Sequence, residues 1–322
     1  MDNRRNFMKK AGLFTLGLGL SADALANMYD FNNQSVAVSG DENEKNLFFK
    51  ISLAEWSLHR ALNSGKMTNL DFPVIAKRDF GITNVEYVNQ FFMDKAKDKT
   101  YLTELKKTCD DNGITSVLIM CDGEGFMGDA EAKMRQQAVE NHYKWVEAAK
   151  FLGCHSIRVN AYGKGSAEEV AARAAESLSK LTEFGDNHQI GIIVENHGSF
   201  SSNGKWLSDV MKTVNKKGCG TLPDFGNFCV RWKGDDYGEC AEYYDRYLGV
   251  EEMMPFAKGV SAKSYDFDDQ GNCVETDYRK MLKIVKKAGY KSYIGIEYEG
   301  KIDEYEGIRK TLDLLKRVGA EI

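Results

Sequence analysis

Three carboxylates stand where apolar runs end. Ile192-Ile193-Val194 leads into Glu195, Leu222-Pro223 into Asp224, and Ile294-Gly295-Ile296 into Glu297. An apolar run that stops on an acid places that acid at the end of a buried element. Three carboxylates in one partly buried site cannot all stay ionised without a cation or shared protons. One divalent metal (Mn, Mg or Zn) is therefore the expected cofactor, with Mn and Mg the natural partners of oxygen ligands. Salt bridges from Lys263, Arg158 or Arg231 are the competing compensation.

The elements that would carry these acids repeat along the chain. After residue 46 a helical pattern ends in glycine and a β-rich run follows within a few residues. A helix often ends on a residue with positive φ, which glycine tolerates. Strands are expected at 48–53, 82–88, 114–121, 155–161, 192–196, 221–225, 260–264 and 293–298. Helical spacing of apolar residues marks 132–151, 170–184, 206–214, 278–287 and 308–318. Eight alternating units predict an α/β fold, a single (β/α)8 TIM barrel spanning 47–322. An open doubly wound sheet would announce itself by GxGxxG after the first strand, which is missing here, so no nucleotide cofactor is expected.

In such barrels chemistry sits at the C-terminal ends of the strands. Glu195, Asp224 and Glu297 fall there, on the fifth, sixth and eighth expected strands. Glu55, Trp56, Tyr87, Asn160, Tyr162 and Ser261 fall at the same end and are the substrate-binding candidates. Lys263 on the seventh strand is a candidate catalytic cation. His197 lies two residues past Glu195; if the chain stays extended, alternation puts both on one side and makes it a candidate metal ligand.

Ile193-Val194-Glu195, Pro223-Asp224, Val260 to Lys263 and Gly295-Ile296-Glu297 resemble the xylose-isomerase-like TIM-barrel family, which holds sugar and sugar-phosphate isomerases and epimerases and type-2 AP endonucleases. The similarity runs from about residue 47 to the C-terminus. It implies one metal held by Glu195, Asp224 and Glu297, with Glu195 and Glu297 flanking a sugar as an acid/base pair. Ser261 stands where the family commonly has a histidine, which removes one ligand; His197 could replace it, or Lys263 could supply the charge. The implied function is isomerisation or epimerisation of a non-phosphorylated sugar or keto-sugar by α-proton transfer. The same enolate could lose or add water, giving a keto-sugar dehydratase or hydratase. The reading from another class is a carbohydrate-binding barrel without chemistry.

Residues 1–26 read as an export leader: Arg4-Arg5-Asn6-Phe7-Met8-Lys9-Lys10, an apolar run over 11–20 and Ala24-Leu25-Ala26. The paired arginines resemble a twin-arginine signal and predict a periplasmic protein. The apolar run is too short to span a membrane, so no span is expected after cleavage. Residues 27–46 read as a polar linker. The 322 residues are 43% hydrophobic and 28% charged, with net charge −5, which opposes an extended polyanion partner. Five scattered histidines are too few for a multi-metal nuclease. A small-molecule carbohydrate is the expected partner, no nucleic acid is, and a homo-oligomer is left open. Seven cysteines without CxxC spacing do not indicate a disulfide scaffold. Asp224-Phe225-Gly226 lacks the other kinase motifs, and the stretch 266–277 departs from an EF-hand loop at Gln270 and Asp277.

Overall fold

The structure, a computed structural model, describes residues 47–234 and 238–322. The expected leader and linker lie outside the described residues. In chain order the strands are β1 (Lys50–Ala54), β2 (Asn84–Val88), β3 (Thr115–Met120), β4 (Ser156–Val159), β5 (Gly191–Glu195), β6 (Cys219–Leu222), β7 (Cys229–Trp232), β8 (Cys240–Tyr243), β9 (Val260–Ser264) and β10 (Tyr293–Tyr298). The helices are α1 (His59–Asn63), α2 (Phe72–Phe80), α3 (Lys99–Asn112), α4 (Ala132–Leu152), α5 (Ala167–His188), α6 (Gly204–Val214), α7 (Arg246–Met253), α8 (Tyr278–Lys287) and α9 (Glu304–Glu321).

Eight strands form one parallel sheet in the order β6-β5-β4-β3-β2-β1-β10-β9. Its two ends meet. Parallel bridges join Thr221 to Ala257 and Asp224 to Ser261. Ser261 N donates to Pro223 O at 2.9 Å, and Phe225 N to Ser261 O at 3.0 Å. The sheet is thus curled into the (β/α)8 barrel that the alternating units predict. The sixth strand is shorter than expected because Pro223, with no N–H, follows Leu222. The antiparallel pair β7–β8 is an insertion after β6, closed by a Cys229–Cys240 disulfide. The remaining five cysteines are free and buried.

Glycine ends helices as expected at Gly81, Gly113 and Gly153, where φ is 71°, 63° and 85°. At Gly191 and Gly218 the reason differs. Helices α5 and α6 are ended by Gln189 and Asn215 in the left-handed conformation. Gly191 is instead needed for close approach, since a Cβ there would lie 2.6 Å from Ser156 Oγ.

Alternation along each strand divides inside from outside. Tyr87 and Ile192 belong to the apolar layer between strands and helices, whereas Ile193, Leu118 and Leu222 share a small inner cluster. Polar side chains take over above that inner cluster. Among the described residues no helix is long and apolar enough to cross a membrane.

Candidate active site

Glu195 ends β5, Asp224 follows Pro223 beyond β6, and Glu297 lies near the end of β10; all three are buried. One oxygen from each lies within 4.8 Å of the others. Ser261 sits between two of them. Its Oγ is 2.6 Å from Asp224 Oδ2 and 2.8 Å from Glu297 Oε2. A hydroxyl has one proton to donate, so both contacts are hydrogen bonds only when one carboxyl is itself protonated. Burial pushes the Asp224 carboxyl up to about 8, against the pull of Lys263, so Asp224 is the natural holder of that proton. Its Oδ1 accepts from the backbone N–H of Gly226 and Asn227 at 2.8 and 2.7 Å.

Two cations enter from neighbouring strands. Arg158 on β4 brings Nε to 2.8 Å from Glu195 Oε2 and Nη1 to 2.7 Å from Asp122 Oδ1. Lys263 on β9 is paired in register with Glu297, and its Nζ lies 3.1 Å from Glu297 Oε1 and 3.2 Å from Glu299 Oε2. Burial would lower the pKa of each cation, but the surrounding carboxylates outweigh it and keep both charged. Burial raises Glu195 to about 7, with Arg158 opposing. Burial would also raise Asp122, yet Arg158 and His197 draw it down to about 2. Burial raises Glu86, inside the barrel, to about 8.

A cavity of about 710 Å³ opens above this floor. Arg158, Lys263, Glu297 and Glu299 line its bottom, and Trp56, Tyr162 and Phe126 stand among its walls. Glu195 and Asp224 are not among the lining side chains; they lie buried behind Arg158 and Ser261.

The model of the xylose isomerase-like TIM barrel family matches residues 75–318. The chain belongs to that family. No curated protein matches it. Among solved structures it is similar to a D-psicose 3-epimerase studied in the presence of D-fructose, at 12% identity and TM-score 0.62, covering 84% of this chain and 100% of the other. It is similar to the IOLI protein with a bound zinc atom, at 15% identity and TM-score 0.65, covering 85% and 99%. A third is the 3-keto-D-glucoside 4-epimerase YcjR from E. coli, at 14% identity and TM-score 0.58, covering 84% and 99%. At these identities the likeness is one of fold.

The donor set of this family member suits a hard divalent cation. It offers three carboxylates and no histidine. Glu195 Oε2 is buried and accepts no hydrogen bond, because Arg158 Nε approaches it closely but out of line. Even with Asp224 and Glu86 holding protons, Asp122, Glu195, Glu297 and Glu299 face only Arg158 and Lys263, so carboxylates outnumber cations around the floor.

Four expected site residues are placed differently. Tyr87 is wholly buried on the outer face of β2, its hydroxyl 2.9 Å from Ser116 Oγ and its ring against Phe72 and Phe92. Alternation sends its neighbour Glu86 inward instead. Glu55 is buried, with Oε2 accepting from Val88 N at 2.8 Å, and it does not reach the cavity. Ser261 contacts Asp224 and Glu297 rather than the cavity. His197 lines the cavity but stands outside the acidic triad, its Nδ1 at the Tyr162 hydroxyl. The chain leaves the extended conformation there, with Gly198 at φ 98° and Ser199 at φ 55°. Burial lowers His197 to about 4, so it is neutral. Trp56, Asn160 and Tyr162 do line the cavity; Trp56 Nε1 donates to Glu299, and Asn160 Nδ2 to Asp122 Oδ1 at 2.6 Å.

Asp122 and Asn227 fall just past the ends of two expected strands, at the working end of the barrel, but the sequence alone gives them no role, and it offers Arg158 only as a rival to the metal. Asn227 Nδ2 donates to Glu195 Oε1 at 3.0 Å. A charged residue in the middle of Ser156-Ile157-Arg158-Val159, a strand buried along its whole length, was the available signal for Arg158.

Proposed function

We propose that the protein is a sugar isomerase or epimerase that moves the proton α to the carbonyl of a non-phosphorylated sugar or keto-sugar, with Glu195 and Glu297 as the acid/base pair. The observation that carries this reading is the meeting of Glu195, Asp224 and Glu297, from three strands, in one buried cluster at the barrel mouth. Two acids held on different strands can serve opposite sides of one substrate carbon. Glu297 lines the cavity; Glu195 lies behind Arg158, so its part in the reaction requires Arg158 to turn aside. Lys263, paired with Glu297, holds fixed positive charge where an enediolate would develop. Glu195, Asp224 and Glu297 would hold a divalent metal, which when bound would polarise the substrate carbonyl. The excess of carboxylates around the floor favours an uncharged sugar over a phosphorylated one. Export to the periplasm, inferred from the leader, supports the same choice.

The test is solvent exchange. In D₂O, keto-sugars such as D-fructose, D-psicose and L-ribulose are incubated with the protein and C–H loss is followed by NMR. Exchange should occur with at least one such sugar and fall roughly 100-fold or more in Glu297→Gln, with the circular dichroism unchanged. Calorimetric binding of a sugar without exchange or product would replace the enzyme by a carbohydrate-binding barrel.

A further inference from the structure

We infer that the cavity takes a glycoside or disaccharide with a carbonyl on one of its units (a keto group or a reducing end), that unit on the acidic floor and a second ring on an outer aromatic subsite built by the β7–β8 insertion and the loop after β3. The inference rests on the carbohydrate reading above and names the substrate class of the same site.

Size is the first observation. A cavity of about 710 Å³ falls in the range of roughly 300–1,000 Å³ that accommodates drug-sized ligands. A single hexose is only a fragment of that size. The floor where the acids sit is polar: Arg158, Lys263, Glu297 and Glu299 line it together with Asn160 and Asn227. The outer part is different. Phe126, Trp232 and Tyr243 line the cavity there. Phe126 is 45% exposed and Tyr243 67%, whereas Lys263 and Glu297 below are 2% and 3% exposed.

Exposed aromatics on a cavity rim suit the C–H face of a sugar, which is apolar while its hydroxyls remain in water. Both supports are held firmly. After β3, the Glu124 carboxylate accepts from Trp145 Nε1 at 2.5 Å and from Lys144 Nζ at 2.8 Å. Asn141 Nδ2 donates to the Glu124 carbonyl at 3.1 Å, and the Phe126 ring packs edge-on against Tyr162 at 5.9 Å. The insertion is tied by the Cys229–Cys240 disulfide, and Tyr244 N donates to Phe228 O at 2.9 Å. Aromatics carried on backbone tied down in this way leave less to order on binding than those on a free loop.

Calorimetry on the protein tests this with the reducing disaccharides cellobiose, maltose and turanose against D-glucose and D-fructose. At least one disaccharide should bind tenfold or more tightly than either of its component sugars. In Phe126→Ala with Tyr243→Ala that ratio should fall toward one; both side chains are exposed, so the core is untouched, and the ligand comparison on the unaltered protein stands without the variant. Disaccharides that bind no better than their component sugars would overturn the outer subsite, as would a ratio unmoved in the double variant. Binding of no sugar at all would overturn the carbohydrate reading itself.

Discussion

Glu86 projects into the barrel from β2, where Ser52 Oγ donates to its Oε1 at 2.5 Å and its Oε2 has no partner. Burial lifts its pKa from 4.5 to about 8, and Glu297 and Glu195 add to the rise. The folded protein therefore holds a proton there that the unfolded chain releases above pH 4.5. Where the folded state binds more protons, stability falls as pH rises. The loss runs from about pH 4.5 to about pH 8, at up to about 1.4 kcal/mol per pH unit. Glu86→Gln keeps a neutral side chain of similar volume and should flatten the urea-midpoint-versus-pH profile over that window. Parallel profiles for parent and variant would mean that Glu86 is ionised in the fold.

β10 owes its place in the barrel to a missing side chain. A Cβ on Gly295 would lie 2.6 and 2.8 Å from the two Glu86 carboxylate oxygens. Gly295→Ala should cost about 1–3 kcal/mol by overpacking, read from thermal melts. Shortening the opposing side chain should relieve it, so Gly295→Ala with Glu86→Ala should be less destabilised than the sum of the two single changes. Strict additivity would place the clash elsewhere. Other elements were harder to read in advance. Helix α3 carries charge along most of its length and buries only Leu102, Leu105 and Cys109. Its apolar stripe is too narrow to stand out in sequence. The four-residue strands β7 and β8 are too short for alternation to be distinctive.

At the scale of the whole barrel, the acids at the mouth outnumber Arg158 and Lys263, and a divalent cation would relieve their repulsion. A ligand that binds only the folded state stabilises it by about 2.7 kcal/mol at a hundredfold excess over its Kd. Mn²⁺ or Mg²⁺ should therefore raise the Tm by several degrees after chelator treatment, and the rise should vanish in Glu195→Gln. A Tm unmoved by either metal would show that Arg158 and Lys263 already satisfy the cluster. Elemental analysis of the same samples would give the occupancy directly.

The sequence alone determined the alternation of strands and helices, hence the barrel, and the presence of Glu195, Asp224 and Glu297 at strand ends. Those are local properties: apolar spacing of two or of three to four residues, and the residue type that ends each run. Only the tertiary structure decided which partners those acids meet. That Arg158 reaches Glu195, that Lys263 pairs with Glu297, and that Ser261 stands between Glu297 and Asp224 all depend on the register of separate strands. Closure of β6 onto β9 sets the last of these, since it brings Asp224 beside Ser261. The same geometry turned Tyr87 into the helical layer and Glu86 into the barrel: adjacent residues of one strand cannot share a face, and the face each takes is set by the sheet around it.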